Sequence, residues 1–162
     1  EIFLDLKLHD IPNTVANSVR KISNFNVVLT TIHLNGGKDM IEAASSEKGN
    51  IKILGVSILT SLSENDIFEI THTEFDTYFN NLISIASNTN IDGVVCSPNE
   101  LDKLKNFNKL KVVPGIRKDI SDDDQKRVMS PIEAYKKGAD FIVVGRPITK
   151  SEDPRKALEL FL

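Results

Sequence analysis

The chain has 162 residues, 40% of them apolar and 27% charged, which suffices for one ordinary globular core and lies outside the range of disordered chains. A net charge of −3, without any clustered Lys/Arg stripe or interleaved aromatic ladder, argues against a nucleic-acid surface, which needs a concentrated positive field. No apolar run approaches the roughly 18 residues of a membrane span and no signal-peptide pattern is present, so the expectation is one soluble, cytoplasmic domain over residues 1–162.

Glu1-Ile2-Phe3-Leu4 runs without polar lead-in into an alternating apolar stretch, as if the chain began inside or just before a strand, and an incomplete chain is expected. Ile2 to Leu8 reads as the first strand. Asp10-Ile11-Pro12-Asn13-Thr14 then turns the chain into a helix, with Asp10 or Asn13 as a cap and Val15, Val19 and Ile22 on one face. Val27 to His33 and Ile51 to Ser57 are the second and third strands, and Ser63 with Asp66 is a loose capping box. Phe75, Phe79, Leu82, Ile83 and Ala86 recur three or four apart, on a second apolar helical face. Ile91 to Cys96 is the fourth strand. Cys96, the only cysteine, permits no internal disulfide and reads as a small core residue, with a reactive thiol as the alternative.

Ser97-Pro98-Asn99-Glu100 is a capping box with proline at the first helical position, and Leu110 to Val113 is the fifth strand. A polar stretch from Lys118 to Arg127 follows, of a length that in compact βα repeats often forms a lid; its Asp122-Asp123-Asp124 run reads as solvated loop surface. Ser130-Pro131-Ile132-Glu133 is a further capping box, Gly138 suits a helix stop, and Phe141 to Val144 is the last strand. Strand–helix repetition without hairpin turns predicts parallel strands joined by right-handed crossovers. Both a doubly wound sheet and a closed barrel fit; a barrel needs eight strands, hence about two more βα units ahead of Glu1. The first strand is not followed by Gly-x-Gly-x-x-Gly, which weakens the dinucleotide-binding version of the open sheet.

Side chains alternate along a strand, so Phe3, Asp5 and Lys7 share one side and the apolar Ile2, Leu4, Leu6 and Leu8 the other, beneath helices. An acid and a base about 7 Å apart along a strand stand where Val or Ile would fill an interior. Ionisable groups near the carboxyl end of a parallel strand sit where α/β folds bind ligands; a structural Asp–Lys ion pair is the alternative. Near the other end, Val144-Gly145-Arg146-Pro147 reads as strand, glycine, arginine and helix start, suited to a phosphate through outward amides and a forked donor, or else simply a solvated arginine. Arg117 and Gln125 bracket the polar stretch and can reach an anion. His9, His33 and His72 show no metal-ligand spacing; His33 ends a strand, as pocket lining or as a hydrogen-bonded structural residue.

Phe3-Leu4-Asp5-Leu6-Lys7-Leu8-His9-Asp10-Ile11-Pro12-Asn13-Thr14 resembles the signature of bacterial orotidine 5'-phosphate decarboxylases. Ile58-Leu59-Thr60-Ser61, Asp92 to Ser97, Val113-Pro114-Gly115-Ile116-Arg117, Asp124 to Arg127 and Val144 to Thr149 continue the likeness in order across the chain. The resemblance implies a (β/α)8 TIM barrel represented by strands three to eight, and conversion of orotidine 5'-monophosphate to uridine 5'-monophosphate without metal or organic cofactor. It implies Lys7 as proton donor to the ring carbon that loses CO2, Asp5 against the substrate carboxylate, and Asp10 completing the charged array across the interface of a homodimer. Substrate contacts would come from Ile11, Thr14, Thr60, Pro114, Arg117, Gln125, Gly145 and Arg146, the last group at the phosphate. The family's first two strands supply another Asp and another Lys, which are not among these residues. Two other readings are a metal-dependent sugar-phosphate lyase or decarboxylase of the same barrel suprafamily, and an inactive phosphate-ligand-binding fragment.

Overall fold

The computed structural model describes residues 1–117 and 129–161, and the chain divides into two compact units, 1–95 and 96–162. In the first unit the order is β1 (Phe3–Leu8), α1 (Pro12–Ile22), β2 (Leu29–His33), a 3-10 turn at Leu34–Gly36 running into α2 (Gly37–Ser46), β3 (Lys52–Val56), α3 (Glu64–Thr71), α4 (Phe75–Ser87) and β4 (Gly93–Val95). The four strands are parallel, each paired with the next in sequence. Val15 and Val19 of α1, Met40 and Ile41 of α2, and Phe79 and Leu82 of α4 are buried, as are Ile53 and Leu54 of β3, so the predicted helical faces do meet a core.

The second unit holds a 3-10 helix (Pro98–Leu104), β5 (Leu110–Val113), α5 (Pro131–Lys136), β6 (Phe141–Ile142), α6 (Arg146–Thr149) and α7 (Pro154–Glu159), with β5 and β6 parallel. Its core is smaller, built on Leu101, Leu104, Val112, Val113 and Ala134. Among the described residues no helix is long and apolar enough to cross a membrane.

The start signals mostly do what their chemistry predicts. Ser63 and Asp66 form a full reciprocal capping box on α3, and Ser130 with Glu133 does the same on α5. After α5, Gly138 takes φ +93°, its N–H returns to Tyr135 O and that of Ala139 to Ala134 O; this paired closure requires the left-handed conformation that glycine adopts freely. At Ser97 the expectation needs correction in kind: Glu100 accepts the Ser97 N–H at 2.8 Å, but the segment winds as a 3-10 helix. Glu100 is only 1% exposed, so its carboxylate is a buried anchor as well as a cap.

One device recurs in both units. Asp92 stands immediately before β4: its Oδ2 accepts the Ile53 N–H of β3 at 2.8 Å, and its own N–H returns to Ile53 O at 3.0 Å. Asp140 stands immediately before β6 and repeats this on Lys111 of β5, at 2.7 and 2.9 Å. In each case the carboxylate supplies an acceptor at the start of a parallel ladder, where the neighbouring strand's amide otherwise lacks one. Lys48 Nζ donates to both Asp92 oxygens, at 2.8 and 2.7 Å, and adds the link to the end of α2. Asp92→Ala strands the amide of fully buried Ile53, and we expect a loss of about 1–3 kcal/mol, read as a lower urea midpoint with unchanged slope. An unaltered midpoint would show that the staple contributes nothing.

Candidate active site

The carboxyl end of β1 departs from a regular strand. Phe3 pairs with Leu29 and Leu4 with Thr30, but Leu8 pairs with Ile32, so β1 advances four residues where β2 advances two. The surplus residues bulge, and within the bulge Lys7 adopts φ +51°. For a residue with a Cβ that conformation costs roughly 1–2 kcal/mol and must be imposed by its surroundings. The bulge also breaks the alternation expected from sequence. Ile2 and Leu6, assigned to an apolar face beneath helices, are 50% and 49% exposed, while Phe3, Leu4 and Leu8 are half-buried.

Thr31 of β2 contacts the bulge at two points. Its side chain is completely buried, its Oγ1 accepts the Lys7 backbone N–H at 2.8 Å, and its hydroxyl donates to Asp5 Oδ1 at 2.7 Å. Lys7 Nζ in turn donates to Asp5 Oδ2 at 2.6 Å. Backbone amide, hydroxyl, carboxylate and ammonium thus close a ring that begins and ends on Lys7. Asp5 and Lys7 are brought together as predicted, through a bulge rather than through plain alternation. Thr30 holds the residue before the bulge, its hydroxyl donating to Leu4 O at 2.8 Å.

His33, at the end of β2, lies beside this ring, with its imidazole centroid 5.4 Å from that of His9. Burial lowers its pKa below the usual 6.5; the charges of His9 and Lys7 lower it further, against the opposing pull of Asp5. It is therefore held neutral near neutrality and is a poor proton store there.

Asp10 follows β1, and its Oδ1 accepts the N–H of Ile11 at 2.6 Å. The N-cap of α1 is Ile11, with no side-chain cap, and Pro12 begins the helix. Asp10 and Asn13 therefore do not cap α1 as anticipated: Pro12 presets the helical φ and removes one of the amides that a cap would serve. Ile11 and Thr14 are exposed at the start of α1, and Thr60 is half-buried in the turn after β3.

In the second unit Pro114 and Arg117 follow β5, and the Arg117 N–H donates to Met129 O at 3.0 Å. Gln125, the Asp122–Asp124 run and the whole of the anticipated lid from Lys118 to Arg127 lie outside the described residues. Gly145 and Arg146 follow β6. The helix there is only four residues long, Pro147 has no N–H, and the amides of Ile148 and Thr149 both donate to Gly145 O. Of the helix-start amides, that of Ile148 is taken by Gly145 O and Pro147 has none, so the backbone donors of the expected anion corner reduce to Gly145 and Arg146. Cys96 is buried, and burial with the nearby Glu100 charge pushes its thiol pKa far up, which fits a core residue rather than a reactive thiol.

The residues that composition and spacing did not single out are Thr30 and Thr31. A signal was present: two adjacent threonines in a strand otherwise suited to Val or Ile bury two hydroxyls, and each must find a partner.

Parallel βα units whose ionisable side chains gather just beyond the strand ends define an α/β enzyme of the class that meets its ligands at that edge. Within that class the family is plain. The profile described as "Orotidine 5'-phosphate decarboxylase / HUMPS family" matches residues 1–161, and the chain belongs to that family. It is 48% identical over 166 residues to an orotidine 5'-phosphate decarboxylase of Aquifex aeolicus, an alignment covering 98% of this chain and 71% of that protein. With the enzyme of the same name from Ehrlichia chaffeensis it shares 44% identity over 165 residues, covering 98% and 71%. The crystal structure of orotidine 5'-phosphate decarboxylase from Lactobacillus acidophilus superposes with a TM-score of 0.86 at 35% identity, over 99% of this chain and 73% of that one.

The lowered pKa of His33 makes a stability prediction. Below pH 6.5 the unfolded chain takes up a proton at this histidine that the folded chain refuses, so stability falls as the pH drops through that region. His33→Asn should flatten this acid-side decline in the urea midpoint; a decline of unchanged steepness would place its origin elsewhere.

Proposed function

We propose that this chain catalyses the decarboxylation of orotidine 5'-monophosphate to uridine 5'-monophosphate in pyrimidine biosynthesis, at the charged end of β1. The observation that carries the reading is Lys7, held at 2.6 Å from Asp5 in an imposed backbone conformation, within a family whose named members perform this reaction. The C–C bond to the carboxylate breaks and CO2 leaves, its bonding electron pair remaining on the ring carbon. Lys7 Nζ delivers a proton to that carbon, forming the C–H bond of the product, and is reprotonated from water. An ammonium fixed beside a carbon that becomes negative only during reaction binds the transition state better than the ground state. Asp5 has two tasks: it fixes Lys7 through Oδ2, and its charge stands against the substrate carboxylate, favouring departure.

Arg117, Gln125, Gly145 and Arg146 are assigned to the phosphate, with Pro114 shaping the approach and Thr60 contacting the pyrimidine. Among the described residues, its chain neighbours aside, a Cβ on Gly145 would meet no atom within 4 Å, so packing does not call for glycine there, although its φ −101°, ψ −102° backbone is one that glycine adopts more readily than other residues. Glycine also preserves clear space in front of the strand end, as a phosphate approaching the backbone requires. We place all these strands in one (β/α)8 barrel domain and take the working form to be a homodimer, with Asp10, Ile11 and Thr14 facing the partner's substrate. Support for the latter is the exposure of all three, Ile11 at 67%, around an uncapped helix start. No metal or organic cofactor is assigned a role. Named relatives at 48% and 44% identity favour this reading over a sugar-phosphate lyase.

The test is a spectrophotometric orotidylate decarboxylation assay on the protein carrying this chain, beside its Lys7→Ala variant. Loss of a positioned proton donor should lower turnover by about 10²–10⁴-fold or more while uridine monophosphate still binds. Unchanged turnover removes the assignment of Lys7, and magnesium-dependent activity on a sugar phosphate with none on orotidylate replaces the reading. Arg146→Ala should raise KM for orotidylate and lower kcat/KM by about tenfold or more, a charged hydrogen bond being worth roughly 1.5–3 kcal/mol. A variant with wild-type kcat/KM would show that the phosphate is held elsewhere.

A further inference from the structure

We infer that Thr31 is a positioning residue for the decarboxylation, its buried hydroxyl acting as the peg that sets the β1 bulge and aims Lys7 and Asp5. A hydroxyl has one proton to give and two lone pairs, and here the proton goes to Asp5 Oδ1 while a lone pair takes the Lys7 N–H. Both contacts reach the two residues assigned to the chemistry, one through its backbone and the other through its carboxylate. Neither belongs to the regular ladder between β1 and β2, which resumes only at Leu8 and Ile32. The hydroxyl therefore stands in for the ladder across the irregular stretch.

Valine has nearly the same shape and suits a strand, so it would preserve the packing of a fully buried position. It would leave the Lys7 amide without an acceptor and Asp5 Oδ1 without a donor. The bulge then loses what holds Lys7 at φ +51°, and the ammonium loses its fixed direction while the rest of the substrate's contacts stay in place. That predicts a defect in turnover rather than in binding. Thr30 is the internal comparison, because its hydroxyl bonds Leu4 O, ahead of the bulge, and touches neither reacting residue.

The inference rests on the decarboxylase reading, which the turnover of the unaltered protein tests separately. Thr31→Val should lower kcat on orotidylate by between about 10- and 100-fold, the scale of a small misplacement of reacting groups, with KM changed by much less. Thr31→Ser keeps the hydroxyl and should restore most of kcat, whereas Thr30→Val should lower the urea midpoint with little effect on kcat. A Thr31→Val enzyme with wild-type kcat overturns the proposal. So does a Thr31→Ser enzyme as impaired as Thr31→Val, since the methyl group would then matter and not the hydroxyl. Equal loss of kcat in Thr30→Val and Thr31→Val assigns both threonines to general support of the strand, and this too overturns it. Should Thr31→Val fail to fold, Thr31→Ala, which also lacks the hydroxyl, takes its place in each of these comparisons. If the unaltered protein does not turn orotidylate over, the decarboxylase reading fails first, and a crystal structure of Thr31→Ser with the bulge and the Lys7–Asp5 contact unchanged would still support the peg.

Discussion

The contact between Lys7 and Asp5 organises the end of β1, and its energetics say what it is for. The two side chains are 39% and 45% exposed, and ion pairs so open to water contribute about 0–1 kcal/mol, an amount that the left-handed backbone at Lys7 alone offsets. Taken as a stability device the arrangement is a poor one. Taken as a way to hold an ammonium in one direction it is effective, because the lysine is restrained at both ends, by its backbone amide and by its Nζ. The energetics therefore favour the proposed chemical role of the pair over a role in stability.

The restraint depends on β2 being fixed, and the first unit provides for that. Leu29 to His33 pairs residue for residue with Lys52 to Val56, a regular ladder against which the irregular β1 can be referenced. On the far side of β3, Asp92 fastens Ile53 and, through Lys48, the end of α2. A strand that presents an irregular neighbour to a ligand must not itself slip, since a one-residue shift would turn Thr31 out of the interior and remove the peg. The carboxylate that opens β4 thus supports the geometry at β1 through two intervening ladders. Asp140 gives the shorter pair β5 and β6 the same start, with less core behind it.

Much of this was legible in the sequence, and the exceptions share a physical origin. Strand identity and order followed from β-branched runs, and α3 and α5 began where Ser63 and Ser130 said they would, because a capping box is local chemistry. Sequence spacing could bring Asp5 and Lys7 to one side but not reveal the bulge, because a period of two assumes the regularity that a bulge breaks. Thr31 was passed over for a related reason: its role exists only across 26 residues of sequence, in contact with Asp5. Asp10 and Asn13 looked like caps because their side chains suit capping, yet Pro12 had already fixed the helix start. The last strand, expected from Phe141 to Val144, is regular only over Phe141–Ile142, although the Val143 N–H still reaches Val113 O at 2.9 Å. Likewise, the capping box at Ser97 marks a helix start but does not distinguish a 3-10 winding from an α-helical one.

The corner at Gly145 and Arg146 shows why motif and mechanism must be kept apart. A glycine before a helix suggests an anion held by the helix dipole, and a full helix contributes about 0.3–1 kcal/mol in that way at an exposed end. Here the helix has four residues, its proline lacks a donor, and Gly145 O occupies the next two amides. Little dipole field remains, and the backbone donors at the helix start reduce to the amides of Gly145 and Arg146. A guanidinium hydrogen bond to a phosphate oxygen is worth more than that whole dipole. In the proposed function the glycine therefore contributes room, and Arg146, with Arg117 and Gln125, contributes binding energy. The binding side of the proposed site then resembles its chemical side: cationic side chains supply the interaction, and the backbone around them leaves room for it.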